Sequence, residues 1–232
     1  MIETADLPLV TVVVPAHDAE AYLAEALDSA LRQTWSPVEI VVVDDGSRDR
    51  TADVAAAATG VKLLRQPNRG PAAARNAAVA RATGDVVAYL DADDIWPADK
   101  LEVQVGYLLR NPECDAVLGR EEVLRTDGVE PPPWVQRLDG GEVADSLSLV
   151  TMVLWRRVLD RVGPFDESFR VSEDMEWLVR ARALGVRVDR VDEVVLRRRI
   201  HGANLSYRAD EQRQGLFRAL RGRARRDRGD AH

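Results

Sequence analysis

Residues 89–96 read YLDADDIW, so three carboxylates, Asp91, Asp93 and Asp94, fall within four positions directly behind the apolar run Val86, Val87, Ala88, Tyr89, Leu90. Aspartates this close repel one another and raise each other's pKa unless positive charge sits among them. A divalent cation, which takes hard oxygen ligands, would relieve that repulsion. Two further acidic pairs stand elsewhere, Asp44–Asp45 in VDDGS and Glu173–Asp174 in SEDMEW. Asp44 fits turn formation before Gly46 as well as a role of its own. Glu173 and Asp174 would complement the positive end of a helix if they did nothing else.

The elements that must position these groups are legible in the pattern of apolar residues. Apolar runs alternate with segments of helical period, the signature of βα units around a mainly parallel sheet. LVTVVVPAH, VEIVVVDDGS, VKLL and DVVAYL are expected as four strands. Between them, AEAYLAEALDSALRQ places Tyr22, Leu23, Ala26, Leu27, Ala30 and Leu31 at helical spacing, with Asp18 expected as its N-cap. DRTADVAAAATG is an Ala-rich helix with Gly60 as its stop, and AAARNAAVARATG is a helix with Pro71 in its first turn and Gly84 as its stop. Ligands of open α/β sheets bind beyond the carboxyl ends of the strands, so Pro15–Asp18, Asp44–Ser47 and Asp91–Asp94 are expected to face one crevice. Further on, PADKLEVQVGYLLRN reads as a helix, CDAVLGREEVL as a strand and RTDGVEPPPWVQRLDGGEVAD as a loop or flap. Ser172 is expected to cap a helix whose first turn carries Glu173 and Asp174, and VRVDRVDEVVLRRRI is a strand that closes on HGANLS.

Composition bounds the function. With 232 residues and 46% apolar content, one large α/β domain is expected rather than two small ones. A net charge of −7 argues against a general nucleic-acid binder. A single cysteine, Cys114, excludes an internal disulfide framework and fits a reducing, cytoplasmic location. No apolar run reaches 18 residues and no signal-like start precedes the first strand, so no membrane span is expected. From Tyr207 onward, eight arginines face four acids, which reads as a solvated helix or tail, or as a peripheral contact with an anionic membrane surface.

Taken in order, VVVPAHDAEAYLAEALDSALRQT, EIVVVDDGSRDRT, GPAAARNAAVARATGDVVAYLDADD, GPFDESF, SEDMEWLVRARALG and RRRIHGANLS resemble the segments of the family 2 glycosyltransferases, inverting enzymes of the GT-A fold. The resemblance runs from about residue 9 to about 206, with nothing diagnostic near 119–147. It implies an α/β fold of GT-A type: a Rossmann-like, mainly parallel sheet flanked by helices in a single compact domain. The donor-binding half would cover about 9–96 and the acceptor half about 97–206, with 207–232 as an Arg-rich appendage. The activity it implies is transfer of a sugar from a nucleotide-diphosphate sugar, with a UDP-sugar the expected donor, to a hydroxyl of a saccharide, lipid-linked or small-molecule acceptor. The cofactor would be Mn²⁺ or Mg²⁺, which neutralises the departing diphosphate.

The resemblance also assigns roles. Asp93 would bind the metal and Asp91 the ribose or the metal, with Ala92 between them in the donor site. Asp45 would contact the base, with Pro15 and Ala16 as the neighbouring wall. Asp174 would be the general base that takes the acceptor hydroxyl's proton. His201, after Arg199, would touch metal or diphosphate. Some alternatives stay open: Asp94 could cap the helix near Pro97 or be solvated, and Arg75 and Asn76 could meet ribose or phosphate, unless Arg75 is half of a buried ion pair. His17 is expected to hydrogen bond locally. A haloacid-dehalogenase-type phosphatase would carry its nucleophilic aspartate after the first strand, and a receiver domain would leave SED without a purpose. A catalytically silent nucleotide-sugar-binding protein normally lacks one of the carboxylates that are all present here.

Overall fold

Valine and isoleucine runs without polar alternation suit strands covered on both faces. Such runs form β1 (Val10–Ala16), β2 (Val38–Asp45), β3 (Val61–Gln66) and β4 (Val86–Tyr89) in a computed structural model, which describes residues 7–125, 128, 129, 143–145, 147–202 and 204. All four are parallel, in the order β3-β2-β1-β4. Val10 pairs with both Val38 and Val86, so β1, β2 and β4 run level and their carboxyl ends open on the same side. Three helices cross between them: α1 (Leu23–Leu31), α2 (Thr51–Ala57) and α3 (Pro71–Val79). Ala72, Ala73, Ala74 and Ala78 are buried on α3, and these small side chains let it lie close on β1 and β2.

The second half extends the same sheet with strands of mixed direction. After α4 (Lys100–Arg110) come β5 (Ala116–Arg125), β6 (Val143–Asp145) and β7 (Met152–Trp155), in the sheet order β4-β7-β5-β6 with antiparallel pairings. Helices α5 (Arg156–Val162) and α6 (Glu173–Ala183) lead to β8 (Val188–Ile200), which runs parallel to β5. One hydrophobic cluster extends from Val10 to Leu196, so both halves share a core and form one domain. Cys114 is buried and unpaired, and burial pushes its thiol up to about 11. No helix among the described residues is long and apolar enough to cross a membrane. The loop or flap expected over 125–145 has strand at both described ends, Arg125 in β5 and Val143–Asp145 as β6, and most of 126–142 lies outside the described residues, as does all of the Arg-rich segment 207–232.

Two helix boundaries and one cap differ from expectation. Helix α1 starts at Leu23 with Tyr22 at its N-cap and no side-chain cap bond. Asp18 is spent elsewhere: its Oδ1 accepts from Arg48 N at 2.8 Å, and its own N–H donates to Ser47 Oγ, tying the β1–α1 loop to the β2–α2 loop. Ser172 does stand at the N-cap of α6, but with φ +65° and no side-chain cap bond. Helix α3 ends at Val79, before Gly84, whose role is close approach: a Cβ there would lie 2.6 Å from Leu9 O.

At the end of the sheet away from the crevice, Glu39 ties β2 to its surroundings. Its carboxylate accepts from Thr11 Oγ1 at 2.5 Å, Thr83 N at 2.5 Å, Gly84 N at 3.1 Å and Lys62 Nζ at 2.6 Å. Burial alone would raise its pKa, but these donors hold it down to about 2. A carboxylate lowered on folding adds stability above its unfolded pKa and loses it as pH falls through the folded value. Glu39→Gln is therefore expected to cost about 2 kcal/mol at pH 7. The gap from the parent should narrow between pH 4.5 and about 2, as read by denaturant titration across that range.

Candidate active site

The carboxyl ends of β1, β2 and β4, the start of α3, the start of α6 and the end of β8 converge on one crevice. Its first wall comes from β2. Asp44 is fully buried and accepts from Ser47 N at 3.0 Å and Arg65 Nε at 3.1 Å, which shapes the turn at Gly46. Asp45 accepts from Gln66 Nε2 at 2.7 Å, Arg69 N at 2.9 Å and Gly70 N at 2.7 Å, so it fixes the loop that enters α3. That loop ends at Gly70, whose φ of +93° favours glycine and turns the chain into Pro71. His17 Nδ1 donates to Asp45 O at 3.0 Å, which leaves Nε2 to accept from Asn68 Nδ2 at 3.1 Å. Ala16 and Ala92 are buried, and with Pro15 they contribute backbone and small size rather than side-chain surface.

The aspartates after β4 separate into three environments. Asp91 Oδ1 accepts from Arg75 Nη2 at 3.1 Å, while Nη1 of the same guanidinium bonds Glu173 Oε1. Arg75 is 6% exposed, so it is the buried ion-pair partner, not a free arm in the crevice. The Asn76 side chain is likewise taken up within the protein: it donates to Phe165 O and accepts from Phe165 N, both at 2.9 Å, fastening the loop before α6. Asp93 Oδ2 accepts from His201 Nε2 at 2.9 Å and from Asn204 Nδ2 at 3.2 Å. Asp94 is neither a cap nor solvated: α4 has Asp99 at its N-cap, and Asp94 is only 2% exposed. Its Oδ1 accepts from Arg199 N at 3.0 Å while Oδ2 has no partner. The cause is β8, which crosses here through an Ile95–Arg197 bridge and covers the residue.

The charge balance differs from a cluster waiting for a cation alone. Arg198, on β8, bonds Glu121 at 3.0 Å and Ser148 Oγ at 3.3 Å, and its charge also acts on Asp94 and Asp91. Burial raises the pKa of Asp91, against Arg75, and of Asp94, against Arg198, with Asp93 adding repulsion to both. Burial also raises Glu173 against the pull of Arg75. Burial alone would lower both arginines, but the surrounding carboxylates hold them charged. Arg198 escaped the sequence reading, although strand period puts it on one face with Leu196 and Ile200, which are both buried.

Asp174 lies in the first turn of α6 beside Glu173, partly buried, with Oδ1 accepting from Met175 N at 2.8 Å. Its charge reaches Arg75. One guanidinium thus stands between the carboxylate at the end of β4 and the acidic start of α6. Among the described residues no group of three or more His, Cys, Asp or Glu is arranged to hold a metal ion. Asp91 and Asp93 keep 33% and 28% of their side chains open, and His201, expected to touch metal or diphosphate, has its Nε2 2.9 Å from Asp93 Oδ2.

Residues 11–150 match the family model described as Glycosyl transferase family 2. The chain belongs to that family. A family 2 relative, an uncharacterized glycosyltransferase (alr2836) of Nostoc sp. strain PCC 7120, is 31% identical over 215 residues, covering 84% of this chain and 66% of its own. Among solved structures, Staphylococcus aureus TarS 1–349 in complex with UDP is similar with a TM-score of 0.68 and 22% identity, over 91% of this chain and 70% of that one. The mannosyltransferase PcManGT from Pyrobaculum calidifontis, in complex with GDP-Man and Mn²⁺, is similar with a TM-score of 0.70 and 24% identity, over 96% and 66%. These likenesses show the GT-A fold. The chain spans 44%, 66% and 68% of the length of three curated glycosyltransferases it matches. The site thus holds two partly open carboxylates, Asp91 and Asp93, and a third, Asp174, next to the Glu173 that Arg75 binds.

Proposed function

We propose that the crevice binds a nucleotide-diphosphate sugar together with a divalent cation and transfers the sugar, with inversion, to an acceptor hydroxyl. The observation that carries this reading is the meeting of Asp91 and of the acidic start of α6 on the two arms of Arg75. Arg75 joins the donor-side Asp91 to Glu173, the residue before the candidate base Asp174, which supports a donor side and a base side that meet at this guanidinium. The UDP bound by TarS and the GDP-Man and Mn²⁺ bound by PcManGT support a nucleotide donor and a divalent ion. We take a UDP-sugar as the donor and a saccharide, lipid-linked or small-molecule hydroxyl as the acceptor, in a cytoplasmic setting.

Asp93, with Asp91 beside it, would hold Mn²⁺ or Mg²⁺, hard ions commonly bound by one or two carboxylates plus substrate phosphates rather than by a complete protein cage. When bound, the ion would neutralise charge on the departing diphosphate. Gln66 Nε2 and Arg69 N take the lone pairs of Asp45 Oδ1 and Gly70 N takes one on Oδ2; with the one that remains on Oδ2 Asp45 would accept a base N–H, against the wall of Pro15 and Ala16. Arg75 would act on the donor through Asp91. Asp174 would accept the proton of the attacking hydroxyl. Asp93→Ala is expected to keep the fold, since this side chain is partly open, and to weaken UDP binding in Mn²⁺ at least about tenfold. Calorimetry with and without Mn²⁺ reads this out, and an undiminished metal dependence would remove Asp93 from the site.

A further inference from the structure

We propose that Tyr22 is a positioning residue of the donor site, its ring holding His201 so that the imidazole steers the Asp93 carboxylate. The inference rests on Asp93 being the cation-binding carboxylate. Tyr22 stands at the N-cap of α1, and its ring stacks on His201 with centroids 4.6 Å apart and planes at 24°. His201 Nε2 lies 2.9 Å from Asp93 Oδ2, and because a carboxylate only accepts, this nitrogen carries the proton and donates. In this geometry His201 Nε2–H orients the Asp93 carboxylate. The same ring of Tyr22 lies 5.3 Å from the guanidinium of Arg199, whose Nε donates to Asp93 O at 3.2 Å and whose Nη2 reaches Glu25 at 2.5 Å.

Two of the groups that bond Asp93, Arg199 and His201, thus pack against the one ring of Tyr22. Asn204 completes the arrangement: its Oδ1 accepts from His201 N at 2.5 Å and its Nδ2 donates to Arg199 O and to Asp93 Oδ2. An imidazole just past the end of a strand can turn about its own side-chain bonds. A stacked ring removes that freedom and keeps Nε2–H aimed at one oxygen. Hydrogen-bond partners of a ligating carboxylate are commonly worth about 10- to 100-fold in metal affinity.

The test uses the full chain with UDP and GDP as probes, each by calorimetry with and without Mn²⁺, alongside ligand-free melting temperature. Tyr22 is partly exposed, so its variants should fold. Tyr22→Phe keeps the ring and should bind like the parent. Tyr22→Leu keeps bulk but loses the aromatic plane, and should bind about tenfold more weakly in Mn²⁺ with metal-free affinity and melting temperature little changed. His201→Ala should show a similar loss, and the double variant no further loss, because both act through one contact. Undiminished Mn²⁺-dependent affinity in Tyr22→Leu overturns the proposal, as does an equal loss with and without metal, or additive losses in the double variant. A parent that binds neither probe more tightly in Mn²⁺ overturns the reading of Asp93 itself, and the role of Tyr22 with it.

Discussion

Replacing Asp174 by asparagine is expected to lower sugar transfer about 10²- to 10⁴-fold while nucleotide affinity stays near that of the parent. The amide keeps the shape and an Oδ1 that can still accept from Met175 N, so the first turn of α6 should survive. It cannot take a proton. Glu173 is no substitute, because its carboxylate is buried and bound to Arg75. A carboxylate that only complemented the helix N-terminus would be worth about 0.3 to 1 kcal/mol. Its loss would lower the melting temperature slightly and leave turnover alone. Measuring transfer, or slow donor hydrolysis, together with nucleotide affinity separates the two, and near-parent turnover in the variant would exclude Asp174 as the base.

Arg75→Met is expected to destabilise the fold by about 3 to 5 kcal/mol, the usual cost of leaving a buried charge without its partner. Glu173 and Asp91 both lose a guanidinium bond. Arg75→Met/Glu173→Gln should recover much of the loss, since no buried carboxylate then stands unpaired at Glu173. The pH dependence has a definite sign. Burial already raises Glu173 and Asp91, and without Arg75 both rise further. A carboxylate raised on folding favours the folded state at low pH and costs stability as pH climbs past its unfolded value. The deficit of the single variant should therefore be larger at pH 8 than at pH 5 in denaturant titrations. A loss below about 1 kcal/mol, equal at both values, would mean that the guanidinium carries no structural charge role.

The parts of this protein legible in its sequence are those governed by local pattern. Doubly covered strands must be apolar throughout, so β1, β2 and β4 announce themselves as Val and Ile runs, and the alanines of α3 mark a helix pressed on the sheet. The meeting of the loops after β1, β2 and β4 follows from parallel topology. What stayed hidden depends on partners far away in the chain. Asp94 reads like a cap or a solvated turn residue until β8, bridged through Arg197, covers it. Arg75 was open between ligand contact and ion pair, and its partner Glu173 lies 98 positions away. Asp18 has the composition of an N-cap, but its oxygen is taken by Arg48 N across the neighbouring loop.

The acidic run YLDADDIW is where the two kinds of information meet. Its repulsion called for positive charge, which the sequence reading assigned to a divalent ion. The fold supplies part of it internally, through Arg75 against Asp91 and through the field of Arg198 at Asp94 and Asp91. Asp93 differs from both in taking its side-chain bonds from Asn204 and His201 rather than lying against an arginine.

A thermal-shift series on the full chain with UDP, GDP, ADP, CDP and dTDP, each with and without Mn²⁺ or Mg²⁺, tests this account most directly. A ligand that binds only the folded state raises its apparent melting temperature. The account predicts that at least one nucleoside diphosphate raises it, and raises it more with the cation than without. No shift with any of them, or an equal shift in the presence and absence of both cations, would contradict a cation-assisted nucleotide site at Asp91 and Asp93.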